Sequence, residues 1–185
     1  MRDVVLQVSG LSVDGYICEE ETEFNRLAGE DRFVDAERDA WMVKSLWRAG
    51  LHIMGGTTYR SMAGHWPTST EVFADVMNQI PKVAFSRTLK SADWPESRIV
   101  RGHTAAVELE RLRAEPGDGE IIAHGGAKFA SSLAAGDLVD EYRLIVYPVV
   151  AGGGTPLFPA APRSLRLVSS TAFPSGCVAL VYRRG

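Results

Sequence analysis

The sequence predicts an α/β protein built on a mostly parallel sheet, with an antiparallel hairpin on its C-terminal side. Three observations carry this. Short apolar runs of strand length (Val4 to Val8, Leu51 to Met54, Lys82 to Ser86, Ile121 to Ala123) alternate with stretches of helical period. Two of these runs lead directly into a glycine pair and then a helix, at Gly55-Gly56-Thr57-Thr58 and at Gly125-Gly126-Ala127-Lys128. The last two β-rich runs, Leu165 to Ala172 and Cys177 to Tyr182, are separated only by Pro174-Ser175-Gly176, a turn too short for a crossover.

Taken in order, Val4 to Val8 has the β-branched content of a central strand, and Asp14-Gly15 then marks a turn in which glycine supplies positive φ. The acidic stretch from Glu19 to Asp31 reads as a solvated loop. From about Asp31 to Ala49 the pattern is helical, with Ala36, Ala40, Val43 and Trp47 on one face and Gly50 as its stop. Asp39 falls roughly 70° from the centre of that face, where a carboxylate reaches solvent or a cleft beside the core. Val72 to Ile80 sketches a further helix, ended by Pro81. Ile99-Val100 is a short strand, and Thr104 caps a helix running to Ala114. A helix from Ala127 to Ala135 stops at Gly136, and Val139 to Val150 is again strand-like. Gly152-Gly153-Gly154 is followed by no helical pattern, so it reads as a permissive turn.

Composition excludes several classes of function. The 185 residues suffice for one domain, 1-185, with a sizeable core. A net charge of -3 argues against nucleic-acid binding, which calls for a basic excess. Cys18 and Cys177 are too few for a disulfide framework, and His52, His65, His103 and His124 share no ligand-like spacing, so no metal is expected. No secretory signal or membrane span is visible, which leaves the cytoplasm as the expected location.

Three strand ends therefore carry small, hydroxylic or cationic residues: Gly55 to Thr58, Ser86 to Thr88, and Gly125 to Lys128. In a parallel sheet they meet along one edge, where α/β sheets bind ligands. A glycine junction at a helix start lets backbone N–H groups approach phosphate, and three such ends suit a dinucleotide. A guanidinium at Arg87 suits a further phosphate.

An ordered set of motifs spans nearly the whole chain: Ser12-x-Asp14-Gly15-Tyr16-Ile17, Met54-Gly55-x-Thr57-Thr58-Tyr59, Phe85-Ser86-Arg87-Thr88-Leu89, Gly125-Gly126-Ala127, Val139-Asp140-Glu141-Tyr142-Arg143, then Pro148-Val149 and Gly152 to Phe158. In this set the chain resembles the dihydrofolate-reductase-like family, above all the reductase domain of bifunctional riboflavin-biosynthesis proteins. The resemblance implies three layers: a central, mostly parallel sheet of about eight strands with an antiparallel C-terminal strand, and helices on both faces. It implies NADPH across the strand ends, held by Gly55, Thr57, Thr58, Gly125, Gly126, Ala127 and Lys128, with Ser86 and Arg87 at the 2′-phosphate. It implies a small pteridine-like or pyrimidine-like substrate, reduced as in folate or riboflavin biosynthesis. Asp14 and Asp39 become candidate substrate ligands, and Asp39, fifteen residues before Met54, the candidate catalytic acid. Relatives of the riboflavin branch also suggest a homodimer, with Tyr142, Leu144, Val146 and the C-terminal hairpin as its surface. The rival expectation is a non-catalytic, dimeric nucleotide-binding protein that keeps the fold. One departure stands out: dihydrofolate reductases usually have Arg where this chain has Gly56.

Overall fold

The computed structural model describes residues 1–102, 104–159 and 162–185, so His103 lies outside the described residues. Strand β1 (Val4–Leu11) leads through the Asp14–Gly15 turn, where Gly15 has φ 84°, to helix α1 (Glu23–Ala28). Helix α2 (Ala36–Leu46), strand β2 (Ala49–Gly55) and helix α3 (Gly56–His65) follow, then α4 (Ala74–Gln79), β3 (Lys82–Phe85) and β4 (Ser97–Val100). Helix α5 (Ala105–Ala114), β5 (Glu120–His124), α6 (Ala127–Ala135) and β6 (Glu141–Val146) complete the alternating part, and β7 (Leu165–Ala172) and β8 (Val178–Arg184) close the chain.

All eight strands lie in one sheet, in the order β4-β3-β2-β5-β1-β6-β8-β7. The first six strands in this order form five parallel pairs, and β8 runs antiparallel to both β6 and β7. This is the expected architecture. Parallel strands need crossovers, and those crossovers supply the helices for the two faces. Strand alternation then divides the core in two. Val4, Leu6 and Val8 of β1, with Ile121 and Ala123 of β5, pack with Leu109 and Leu112 of α5 and Ala130 and Leu133 of α6. Val5, Met54, Ala84 and Ile122 point the other way, to Leu46, Tyr59, Val76 and Met77 of α2, α3 and α4. A third cluster gathers Phe24, Phe33, Tyr147, Phe173 and Cys177 at the β6–β8 end.

Three sequence expectations need correction. The acidic stretch contains helix α1, whose N-cap Thr22 accepts from the Asn25 N–H, and which buries Phe24 against Tyr147. Helix α2 begins only at Ala36, capped by Asp35, and it buries a different face from the one expected. Ala36 and Ala40 are exposed and Trp47 is 47% exposed, whereas Ser45 and Leu46 are buried. The reason is polar: Ser45 Oγ donates to Gln7 Oε1 at 2.8 Å and accepts from Arg143 Nη1 at 3.0 Å, so a hydroxyl sits where hydropathy reads surface. Gly50 ends no helix. It lies in β2, where an added Cβ would come within 1.8 Å of the Asp118 carbonyl oxygen.

Tyr142, Leu144 and Val146 form no edge surface either. Strand β6 sits between β1 and β8, so Tyr142 and Leu144 are buried and Val146 is half-buried. The edge strand at this end of the sheet is β7, exposed along nearly its whole length, Leu167 and Val168 included.

Candidate functional site

The sheet order places the three glycine or hydroxyl strand ends side by side. Strand β2 pairs with β3 up to Gly55↔Phe85, which sets Ser86 beside the β2–α3 junction. It pairs with β5 up to Ile53↔Ala123, and two residues further along each strand stand Gly55 and Gly125. Parallel pairing thus converts three separate motifs into one continuous rim at the carboxyl ends of β3, β2 and β5.

The two junctions touch. An added Cβ on Gly126 would lie 2.2 Å from Thr58 Oγ1, and one on Gly56 would lie 2.6 Å from Ser86 Oγ. A Cβ on Gly55 would meet Phe129 at 3.3 Å. Glycine is therefore required at Gly56 and Gly126 by close approach of neighbouring chain segments. At Gly56 the space that an arginine side chain would cross is already taken by Ser86. That serine has a second task, because its Oγ accepts from the N–H groups of Thr88 and Leu89 and so folds the loop that carries Arg87.

Gly55 and Gly126 are the N-caps of α3 and α6, and neither helix start has a side-chain cap. The Thr57 and Thr58 hydroxyls therefore do not close the first turn of α3, and its N–H groups remain available. Arg87 and Lys128 are exposed, and neither forms a hydrogen bond or ion pair with any described residue. A hollow of about 410 Å³, lined by Glu19, Gly55, Gly56, Thr57, Thr58, Gly126 and Lys128 among others, follows the rim. It shares Glu19, Thr57, Thr58, Gly126 and Ala127 with a larger cleft of about 570 Å³.

The larger cleft reaches Gly10 of β1, Ile17 and Cys18, Asn25 of α1, Met62 of α3 and the ring of Tyr147. Tyr147 is set by edge contacts with Phe24 (6.1 Å) and Phe33 (5.2 Å), and its hydroxyl accepts from Arg38 Nη1 at 3.0 Å. Burial pushes its pKa up, so the phenol stays protonated. The Cys18 thiol is pushed up to about 11, chiefly by burial, and is likewise neutral.

The two candidate acids take places that the sequence does not reveal. Asp39 does not line the cleft: its Oδ1 accepts from Arg38 Nε at 3.1 Å and Nη2 at 2.8 Å. Through Arg38 it nonetheless connects to Tyr147. Asp14 also lies outside the lining, and its carboxylate oxygens accept from the N–H groups of Ala151 (2.9 Å) and Gly152 (2.8 Å). Its pKa is lowered to about 2, first by the Ser12 hydroxyl and then by the Ala151 N–H. Backbone bonds Val13 to Val149, Ile17 to Thr155 and Leu157 to Gly15 tie the same two loops together. The Ser12 to Ile17 and Gly152 to Phe158 motifs thus form one brace beneath the cleft.

Sequence reasoning missed Glu19, Glu20, Asn25 and Tyr147. The Phe24, Leu27, Ala28 spacing after Thr22 is the signal that marks α1, and with it this wall of the cleft.

Comparison with known proteins places this geometry. Residues 4–179 match the model of the RibD C-terminal domain. The chain belongs to the RibD C-terminal domain family. A curated relative, the uncharacterized protein YyaP of Bacillus subtilis (strain 168), is 36% identical over 103 residues. That match covers 55% of this chain and 53% of YyaP, so it spans about half of each. Among solved structures, Acinetobacter baumannii RibD superposes with a TM-score of 0.70 at 15% identity, over 100% of this chain and 58% of that one. A Thermotoga maritima diaminohydroxyphosphoribosylaminopyrimidine deaminase/5-amino-6-(5-phosphoribosylamino)uracil reductase gives 0.65 at 14%, over 100% and 57%. A pyrimidine reductase-like protein of Corynebacterium diphtheriae gives 0.65 at 13%, over 100% and 92%. The RibD chains are thus much longer than this one, and at such identities the superpositions establish the fold. Among the described residues no helix is long and apolar enough to cross a membrane, and no group of three or more His, Cys, Asp or Glu side chains stands together.

Proposed function

We propose that this protein is an NADPH-dependent reductase of a small pyrimidine-like or pteridine-like heterocycle. The carrying observation is the rim itself, where two uncapped helix starts, two threonines and Lys128 meet beside a cleft large enough for a second ring. Ser86 and Arg87 stand on the loop that follows the neighbouring strand β3, outside the lining of both cavities. Membership of a family that includes reductase domains supports it. The residues fit the cofactor, since the starts of α3 and α6 have no side-chain cap and leave their backbone N–H groups free for a diphosphate.

In this reading Gly55, Thr57, Thr58, Gly125, Gly126, Ala127 and Lys128 hold the diphosphate, and Ser86 and Arg87 meet the 2′-phosphate. Bound NADPH supplies a hydride to a C=N or C=O carbon of the substrate. Tyr147 donates a hydrogen bond to the adjacent heteroatom, and its burial keeps the proton on the phenol. Asp39 acts at one remove, by fixing Arg38 against Tyr147, and Asp14 acts by ordering the loop brace. Calorimetric titration with NADPH, followed by NADPH oxidation assays on reduced and oxidised pyrimidines and pterins, tests the proposal. Micromolar binding with turnover of one compound is the expected result; absence of NADPH binding removes the reading.

A further inference from the structure

The phenol of Tyr147 has one cationic neighbour, and the direction of the hydrogen bond between them bears on the chemistry. Tyr147 is held from several sides. Its N–H donates to the Leu11 carbonyl and its carbonyl accepts from the Val149 N–H, both at 2.8 Å. Phe24 and Phe33 hold the ring by edge contacts. Helix α2 brings Arg38 against it. The N-cap Asp35 accepts from the Arg38 N–H and, through its other oxygen, from the Ser175 N–H in the turn before β8.

The Arg38 side chain is only 12% exposed. Its Nε and Nη2 donate to Asp39 Oδ1, and its Nη1 donates to the Phe33 carbonyl at 2.7 Å and to Tyr147 Oη at 3.0 Å. The guanidinium carbon stands 5.7 Å from the centre of the Tyr147 ring. A guanidinium has donors and no acceptor. The phenol oxygen therefore receives a hydrogen bond from Arg38, and the phenol's own hydrogen is left for another acceptor. No described residue accepts it, and the residue lines the larger cleft. The groups whose charge acts on the phenol are Arg38 and Asp39 of α2, Cys18 after β1 and Cys177 before β8. Arg38 is the one cation among these, and it opposes the upward pull of burial.

Given the reductase reading, we propose that Arg38 is a positioning residue for proton transfer, which turns the Tyr147 hydrogen toward the cleft and holds the tyrosinate left behind. As the substrate carbon takes up hydride from bound NADPH, the electron pair of its C=N or C=O bond moves to the heteroatom. The heteroatom takes the phenolic proton. The tyrosinate then faces the guanidinium at hydrogen-bond distance, and it recovers a proton from water once product has left. A fixed donor whose bond strengthens as charge develops favours the transition state over the ground state.

The test reads this coupling without turnover. Ring-fluorinated tyrosine replaces the five tyrosines, and the fluorine NMR line of residue 147 is assigned by its loss in Tyr147→Phe. Its titration midpoint is followed in the nucleotide-free parent and in Arg38→Met, Arg38→Gln and Arg38→Lys. Both neutral variants should raise the midpoint by about one pH unit or more, while Arg38→Lys stays nearer the parent. The Gln variant keeps a donor for the Phe33 carbonyl, and circular dichroism confirms folding. Equal midpoints in the parent and a folded neutral variant overturn the proposal. With a compound that the parent turns over, the neutral variants should lose roughly ten- to a hundredfold in kcat, and Arg38→Lys should recover part of it. A change confined to KM or NADPH affinity also overturns it. Absence of NADPH binding by the parent removes the reductase reading instead, and the fluorine titration still decides whether Arg38 holds the tyrosinate.

Discussion

At the scale of single residues, the proposed function gives Arg87 and Tyr147 separable tasks. Arg87 is unpartnered among the described residues at the end of β3, on a loop folded by Ser86. A charge-assisted bond to the 2′-phosphate contributes about 1.5–3 kcal/mol, so Arg87→Ala should weaken NADPH roughly 10- to 150-fold and leave NADH nearly unchanged. Gly126→Val is the contrast, because any side chain there collides with Thr58 and should weaken both nucleotides. Calorimetry with each nucleotide decides it; equal loss of both in Arg87→Ala removes the arginine from discrimination. For Tyr147, replacement by Phe should lower kcat by about a hundredfold with NADPH affinity intact. Asp39→Asn should do less, about tenfold or below, since Arg38 keeps its bonds to Tyr147 and the Phe33 carbonyl. Parent-like turnover in Tyr147→Phe would count against the phenol.

At the scale of elements, the structure shows how a buried cation joins a helix to a strand. Lys82 opens β3, is fully buried, and donates from Nζ to the carbonyls of Met77 (3.0 Å), Asn78 (2.9 Å) and Ile80 (2.8 Å). These oxygens lie at the C-terminal end of α4, where a cation is favoured by the helix dipole. The ammonium also stands 4.6 Å from the centroid of the Trp94 ring. Burial lowers its pKa to about 8 despite these partners. Lys82→Met fills a similar volume but leaves the carbonyls without their donor, at about 1–3 kcal/mol for a buried group so stranded. Urea denaturation should show that loss, and NADPH affinity should fall with it, because β3 leads directly into Ser86 and Arg87. Unchanged stability would mean that water satisfies the carbonyls equally well.

At the scale of the whole molecule, two properties are set by the sheet. His52 of β2 and His124 of β5 are buried side by side, with ring centroids 4.5 Å apart. Burial lowers both pKa values: His52 goes well below 6.5, with the charge of His124 contributing second, and His124 falls to about 4. The unfolded chain therefore takes up protons near pH 6.5 that the fold refuses. Stability is full above that pH and declines as pH falls toward 4, by roughly 1.4 kcal/mol per pH unit for each histidine at most. Denaturant unfolding of the parent and of His124→Phe at pH 7 and pH 5 measures this; the variant should have the shallower dependence, and parallel curves would exclude the pair as its source. The second property is the open edge. Strand β7 presents eight residues, with Leu167 and Val168 exposed, and such an edge pairs readily with another copy. We expect a homodimer by light scattering at micromolar concentration, reverting to monomer in Leu167→Lys/Val168→Lys; a monomeric parent would refute it.

The sequence by itself determined the class of fold and the positions of the glycine junctions at the strand ends. Period, strand length and glycine punctuation are local properties, and they place α6, β7 and the Thr104 cap of α5 as the structure has them. The ordered motifs extended that reading to the family. What the sequence could not fix was which residues meet. The buried face of α2 depends on a hydroxyl bonded to Gln7 and Arg143, partners 38 and 98 residues away. Asp39 faces Arg38 rather than the cleft, and Asp14 holds the 151–152 backbone 137 residues further along the chain. Pairing between distant strands and loops decides where a polar side chain is satisfied. Hydropathy registers only that the side chain is polar, so the glycine rim was legible in the sequence and the α1 and Tyr147 wall of the larger cleft became visible only in the tertiary structure.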